Sequence, residues 1–104
     1  MSTGLNCEIL EPTPGEWFYI LEHYNAPKNA WDWHDHATAY GPFPSQAAAD
    51  RHLSDNHANP GGCYVLPYQH PMKLAVNTQA LLEKARTRKE PRSIYANFGI
   101  FRRR

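Results

Sequence analysis

The chain has 104 residues, of which 41% are hydrophobic and 20% are charged. This length and composition suit one globular domain with a modest core and exclude an intrinsically disordered chain. No apolar run approaches the roughly 20 residues that a membrane-spanning helix needs, so no membrane partner is expected.

The N-terminal residues and the two cysteines predict a location and a redox state. Residues 1–6 lack the basic and apolar regions of a secretion signal, which favours a cytoplasmic protein. Cys7 and Cys63 are too few and too far apart in sequence to indicate a disulfide framework. In a reducing compartment we therefore expect both to be free thiols.

The first half of the chain predicts two strands. Residues 1–15, with two prolines and Gly15, are expected to be an irregular lead-in. Residues 17–24 are dense in aromatic and branched side chains and predict the first strand. Turn-forming residues at 25–29 should lead into a hairpin, with a second strand over 31–40. The two-residue period would place Trp31, Trp33 and Asp35 on one face of that strand, and Asp32, His34 and His36 on the other.

A short central helix is the most strongly marked element of the sequence. Pro44 excludes helical geometry before it, Ser45 can cap the first turn, and residues 59–62, Asn-Pro-Gly-Gly, end the helix. The helix is predicted over Gln46–Asn56, and the face against the sheet would carry Ala48, Ala49, His52 and Leu53. Residues 63–66 would form the third strand, ended by Pro67. Residues 16–68 thus form a β-β-α-β body, in which strands two and three run parallel if they share one sheet.

Residues 69–104 are predicted to be a basic helical arm and C-terminal tail. A second helix should begin at Asn77 or Thr78 and continue to Arg86, with an apolar stripe of Leu81, Leu82 and Ala85. Pro91 prevents its continuation, and residues 93–101 are a possible edge strand. The predicted fold class is α+β: a small β-β-α-β sheet with one packed helix, a C-terminal basic helix and a possible edge strand.

The net charge of +1 hides a strong asymmetry along the chain. Residues 1–68 contain two Lys or Arg and eight Asp or Glu, which gives a net charge of −6. Residues 69–104 contain nine Lys or Arg and two Glu, which gives +7. Two interpretations stay open: the basic part meets an anionic partner, or it folds back onto the acidic body.

Six histidines raise the question of a metal site, but no recognised ligand spacing is present. We expect no metal and no other cofactor; a zinc site, if one formed, would use His34, His36, His57 and Cys63. A nucleophilic pair of Cys63 with His57 or His52 lacks a nearby cation, so a buried structural cysteine is the favoured interpretation. The sequence therefore predicts a non-enzymatic protein with no catalytic residues.

The basic C-terminal segment contains the candidate binding residues. Cations interleaved with aromatic side chains are typical of phosphate contact and base stacking, and equally of protein-binding surfaces. A solvated helix with a ragged C-terminus is the structural alternative. The candidate partner-binding residues are Arg86, Arg88, Lys89, Arg92, Tyr95, Phe98, Phe101, Arg102, Arg103 and Arg104.

Part of the chain resembles a group of phage proteins. The resemblance lies in residues 17–22, Trp-Phe-Tyr-Ile-Leu-Glu, in residues 40–53 with Tyr-Gly-Pro-Phe and Ser45, Ala48, His52 and Leu53, and in residues 56–62, Asn-His-Ala-Asn-Pro-Gly-Gly. These runs resemble small uncharacterised accessory proteins of bacteriophages and prophages, over roughly residues 17–68. The resemblance includes no catalytic motif and implies a protein, cytoplasmic in the bacterial host, that binds and inhibits host machinery.

Three hypotheses follow for function. The leading one is a phage-related inhibitor or modulator that binds a host protein or nucleoprotein complex, one that processes nucleic acid or acts in defence. The second is a protein that binds nucleic acid directly through the basic arm, with an affinity that falls steeply with salt. The third is a small zinc-binding protein. The sequence does not determine the oligomeric state.

Overall fold

The computed structural model describes residues 2–88. They form four strands, two α-helices and one 3₁₀ turn. The strands are β1 (Cys7–Thr13), β2 (Glu16–Glu22), β3 (Ala37–Phe43) and β4 (Tyr64–Leu66), the helices are α1 (Gln46–Asn56) and α2 (Val76–Thr87), and the 3₁₀ turn covers Trp33–His36.

The four strands form one mixed sheet in the order β3-β2-β1-β4. β2 is antiparallel to both β1 and β3, whereas β1 and β4 are parallel. β3 and β4 therefore run in the same direction, as predicted for strands two and three, but they lie at opposite edges of the sheet. The fold class is α+β, as the sequence predicted.

The sheet buries one apolar cluster on each face. Alternation along β2 sends Phe18 and Ile20 to one face and Tyr19 and Leu21 to the other. The first pair packs with Leu82 and Ala85 of α2, and the second with Ala49 and Leu53 of α1. The core is therefore a sheet between two helices. α2, predicted as the basic C-terminal helix, packs Leu82 and Ala85 on one face of the sheet and so belongs to this core.

The sequence predicted α1 accurately because its signals are local. Ser45 Oγ accepts a hydrogen bond of 3.0 Å from the amide of Ala48, and the helix covers Gln46–Asn56 as expected. Ala49 and Leu53 of the predicted face are buried. The start and end of α2 lie within one or two residues of the prediction.

Two predicted segments differ from the structure. Residues 1–15, predicted as an irregular lead-in, contain β1. The pairing of β1 with β2 shifts register between Leu10 and Thr13, and this shift accommodates Pro12. The second strand begins only at Ala37, because Asp32 accepts a hydrogen bond from the amide of His34 at 3.0 Å and caps the 3₁₀ turn. His34 and His36 consequently do not share a strand face.

The expectation of free thiols is also wrong: Cys7 and Cys63 form a disulfide. The two residues are 56 positions apart in sequence, and the fold places them side by side because β4 pairs with β1. Within residues 2–88, no helix has the length and apolar character needed to cross a membrane. The possible edge strand over 93–101 lies outside the described residues.

Candidate functional site

β4 is the element that the rest of the fold covers least. It lies at an edge of the sheet, so only β1 pairs with it within residues 2–88. α1 packs over β1, β2 and β3, and α2 packs mainly on β3 and the 3₁₀ turn. Tyr64 is 64% exposed and Val65 37% exposed. Within residues 2–88, the outer edge of β4 and the Tyr64 and Val65 side chains are thus accessible, whereas Leu66 packs against the cluster that contains Leu82.

The ends of this exposed strand are nevertheless firmly held. The Cys7–Cys63 disulfide fixes the residue that precedes β4. Beyond its other end, the amide of Tyr68 donates a hydrogen bond of 3.0 Å to the Glu11 carboxylate. The hydrogen bond from the amide of Gly15, together with the one from Tyr68, holds the pKa of Glu11 below its usual value. The strand is therefore preorganised rather than loose.

A cleft of about 550 Å³ lies between α1 and β4. Ile9 and Leu53 contribute apolar side chains, and Val65 lines the cleft from β4. α1 contributes a polar wall. The remaining lining residues are Gln46, Asp50, Ser54, His57, Asn59, Pro60, Gly62 and Cys63.

Asp50 determines the charge of this cleft. It is the one Asp, Glu, Lys or Arg among the described residues that line it. The pKa of His57 lies below its usual value, through burial and repulsion from His52, so this imidazole stays neutral near pH 7. A ligand in the cleft therefore meets one negative charge beside an apolar surface, which favours a cationic side chain.

Beneath α1, a cluster of rings supports the helix. The Tyr19 hydroxyl and His52 Nδ1 are 2.7 Å apart and hydrogen-bonded, and Tyr19 is completely buried. The Tyr19 ring stacks on Tyr40 with centroids 4.8 Å apart, and His57 meets Tyr40 edge-on at 5.0 Å. This arrangement positions His52 and His57 as structural residues.

His34 lies on the opposite face of the sheet, in a network of carboxylates. Its Nδ1 is 2.8 Å from Asp32 Oδ1 and its Nε2 is 2.9 Å from Glu8 Oε1. Burial alone would lower the pKa of His34, but the hydrogen bonds to Glu8 and Asp32 outweigh it and raise the pKa. A hydrogen bond from the Asn77 side chain, with others from His34, lowers the pKa of Asp32 to about 2. When both ring nitrogens are protonated and donate, the imidazolium links Glu8 of β1 to Asp32 at the start of the 3₁₀ turn, and Asn77 of α2 donates to the same Asp32 at 2.8 Å.

The four residues considered for zinc do not converge. Cys63 is in the disulfide, His34 bonds two carboxylates, and His57 lies against Tyr40 on the other face of the sheet. Among residues 2–88, no three His, Cys, Asp or Glu side chains are grouped as a metal site would require.

Two of the predicted partner-binding residues contact the protein's own body. Arg86 donates a hydrogen bond of 2.9 Å to Glu16, and its guanidinium lies 5.1 Å from the centre of the Phe18 ring. The hydrogen bonds to Glu16 raise the pKa of Arg86. Arg88 donates a hydrogen bond of 3.0 Å to the carbonyl of Ala39. For these two residues the interpretation that the basic part folds back onto the acidic body fits the contacts.

The other predicted binding residues lie outside the described part of the chain. They are Lys89, Arg92, Tyr95, Phe98, Phe101, Arg102, Arg103 and Arg104.

Trp31 is fully exposed, whereas Trp33, predicted on the same strand face, packs against the cluster that contains Leu82. Sequence reasoning did not identify the surface of Tyr64, Val65 and Asp50. The available signal was the short predicted strand over residues 63–66, ended by Pro67.

Comparison of the chain with protein-family models, with curated proteins and with solved structures finds no match.

Proposed function

We propose that this chain is a non-enzymatic protein-interaction module that binds a partner protein through β4 and the adjoining cleft. The observation that carries the proposal is an exposed edge strand, with Tyr64 and Val65 on its two faces, held at both ends by the Cys7–Cys63 disulfide and the Glu11 carboxylate. An edge strand with accessible backbone groups is a template for pairing with another chain. Tyrosine is, in addition, enriched among residues that dominate binding energies.

The class of partner follows from the resemblance to phage accessory proteins. We propose a partner in the bacterial host, a protein or nucleoprotein complex whose activity this chain inhibits or modulates. The basic residues beyond Arg88 would add contacts to the acidic or nucleic-acid part of such a partner. Direct binding of nucleic acid is less well supported, because residues 2–88 contain nine Asp or Glu and six Lys or Arg and Arg86 is already paired.

The proposal is tested by affinity capture from nuclease-treated bacterial lysate, followed by mass spectrometry. We expect a specific protein to be retained by the wild type and lost with Tyr64→Ala. Trp31→Ala is the matched control, because it removes an aromatic side chain that is 101% exposed and distant in sequence from β4. Circular dichroism should show that both variants are folded.

Each result has a distinct meaning. Equal loss with Tyr64→Ala and Trp31→Ala would exclude β4 as the specific surface. Loss of every partner on nuclease treatment would instead favour the nucleic-acid binder.

A further inference from the structure

We infer that the cleft between α1 and β4 binds an extended segment of the partner protein, which pairs with the outer edge of β4 and directs a Lys or Arg side chain towards Asp50. This inference rests on the proposed function and adds the mode of binding and the chemistry of the partner.

The backbone geometry favours a strand as the ligand. β4 has β1 on one side and no strand on its outer side within residues 2–88. A segment added there would lie about 4.8 Å from β4 and form main-chain hydrogen bonds with it. Its side chains would alternate between the two faces of the sheet. Among the described residues no strand has to move to make room, because β1 is the only strand that pairs with β4 there.

The two faces of β4 select different side chains. Val65 pairs with Ile9 and lies on the α1 face, whereas Tyr64 pairs with Glu8 and lies on the α2 face. A partner residue on the α1 face meets the exposed Asp50 and Val65 side chains, with the buried Ile9 and Leu53 beneath them, which suits the long stem and cationic head of Lys or Arg. Its neighbours in sequence fall on the Tyr64 face, which suits apolar or aromatic side chains.

Asp50 is available for this contact, because no ion pair occupies it within residues 2–88. Asp55 lies five residues further along α1, has its Oδ2 3.9 Å from Arg51 Nε, and does not line the cleft. The two aspartates thus form a natural pair for a test: both are exposed on the same helix, but only Asp50 faces the site.

The experiment uses a library of displayed random nonapeptides selected on the full-length protein. We expect selected peptides to share a Lys or Arg with apolar residues on both sides of it. Their amides and those of β4 should gain protection from hydrogen exchange in the complex, which a ligand bound only through side chains would not produce.

Charge reversal then tests the contact with Asp50. Asp50→Lys should weaken binding of a selected peptide by about fivefold to tenfold, and Asp55→Lys by less than about twofold. Enrichment of acidic peptides, equal effects of the two reversals, or unchanged protection of β4 would overturn the inference. If the selected peptides instead matched residues 93–101 of this chain, the result would contradict a partner protein as the ligand of the β4 edge.

Failure here is distinguishable from failure of the proposed function. Suppose that Tyr64→Ala abolishes capture of the lysate partner but Asp50→Lys does not change the binding of selected peptides. β4 would then still be a binding surface, but a cationic side chain at Asp50 would be excluded.

Discussion

Gly41 shows how one backbone position determines where aromatic rings lie. Its φ of +140° belongs to a region that side chains rarely permit. At this point the pairing of β2 with β3 shifts register: Tyr19 pairs with Tyr40, but Trp17 pairs with Phe43. The extra residue in β3 lets Tyr40 and Phe43 both face α1 and stack on Tyr19.

Substitution of Gly41 should therefore be costly. A Cβ atom there would lie 2.7 Å from Phe18 Cδ2 and 2.8 Å from the Trp17 carbonyl oxygen. We expect Gly41→Ala to lower the free energy of unfolding by about 2–4 kcal/mol, from backbone strain and overpacking together. Urea denaturation measures the difference. Gly15→Ala is the control: its φ is +82° but no atom lies within 4 Å of the added Cβ, so a cost near 1 kcal/mol is expected.

The two histidines with shifted pKa values should give pH dependences of opposite sign. The pKa of His34 is raised above its ordinary value of 6.5, so its stabilisation is complete below about pH 6.5 and is lost as pH rises through the folded-state pKa. The pKa of His57 is lowered, so its neutral form stabilises the fold above about pH 6.5 and that contribution is lost at lower pH.

Substitution separates the two contributions. The loss of stability in His34→Gln relative to the wild type should be larger at pH 5.5 than at pH 8, measured by urea denaturation at both values. In a Glu8→Gln background this pH-dependent difference should be smaller, because a neutral amide replaces one of the two carboxylate charges beside His34. A His34→Gln effect independent of pH would contradict the imidazolium network.

At the scale of elements, the disulfide connects β1 to the start of β4. It closes a loop of 56 residues, and the chain-entropy model gives a stabilisation of about 4 kcal/mol for a loop of that size. We expect reduction to lower the free energy of unfolding by this amount, which urea denaturation would show as a lower midpoint concentration. The double variant Cys7→Ala, Cys63→Ala should be insensitive to reductant, and detection of two free thiols in the native wild type would contradict the pairing.

How much the sequence could predict depended on the range of the interactions. The limits of α1 were predictable because Ser45 and residues 59–62 act within one turn of the helix. β1 was not, since Pro12 and Pro14 indicate irregular structure unless the strand pairs around a register shift. The disulfide, the Arg86–Glu16 contact and the cleft between α1 and β4 all bring together residues that are distant in sequence.

At the scale of the whole molecule, the basic residues fall into two groups. Arg86 and Arg88 belong to the body, so replacing them would alter both stability and binding. We expect alanine at Lys89, Arg92 and Arg102–Arg104 to weaken capture of the lysate partner at low salt and to reduce the salt dependence of binding. Capture that is unaffected by these five changes would exclude the tail as a binding element, and Arg51→Ala is the control for a general change in charge.

The parallel pairing of β4 with β1 also has a consequence for the order in which the protein folds. β1 and β2 are joined by a two-residue turn, whereas β4 must return to β1 across most of the body. Contacts that close long loops form late, so we expect the three antiparallel strands to assemble before β4 docks. The proposed binding edge would then be the last part of the sheet to form, and the nascent chain could not engage a partner there until its core is complete.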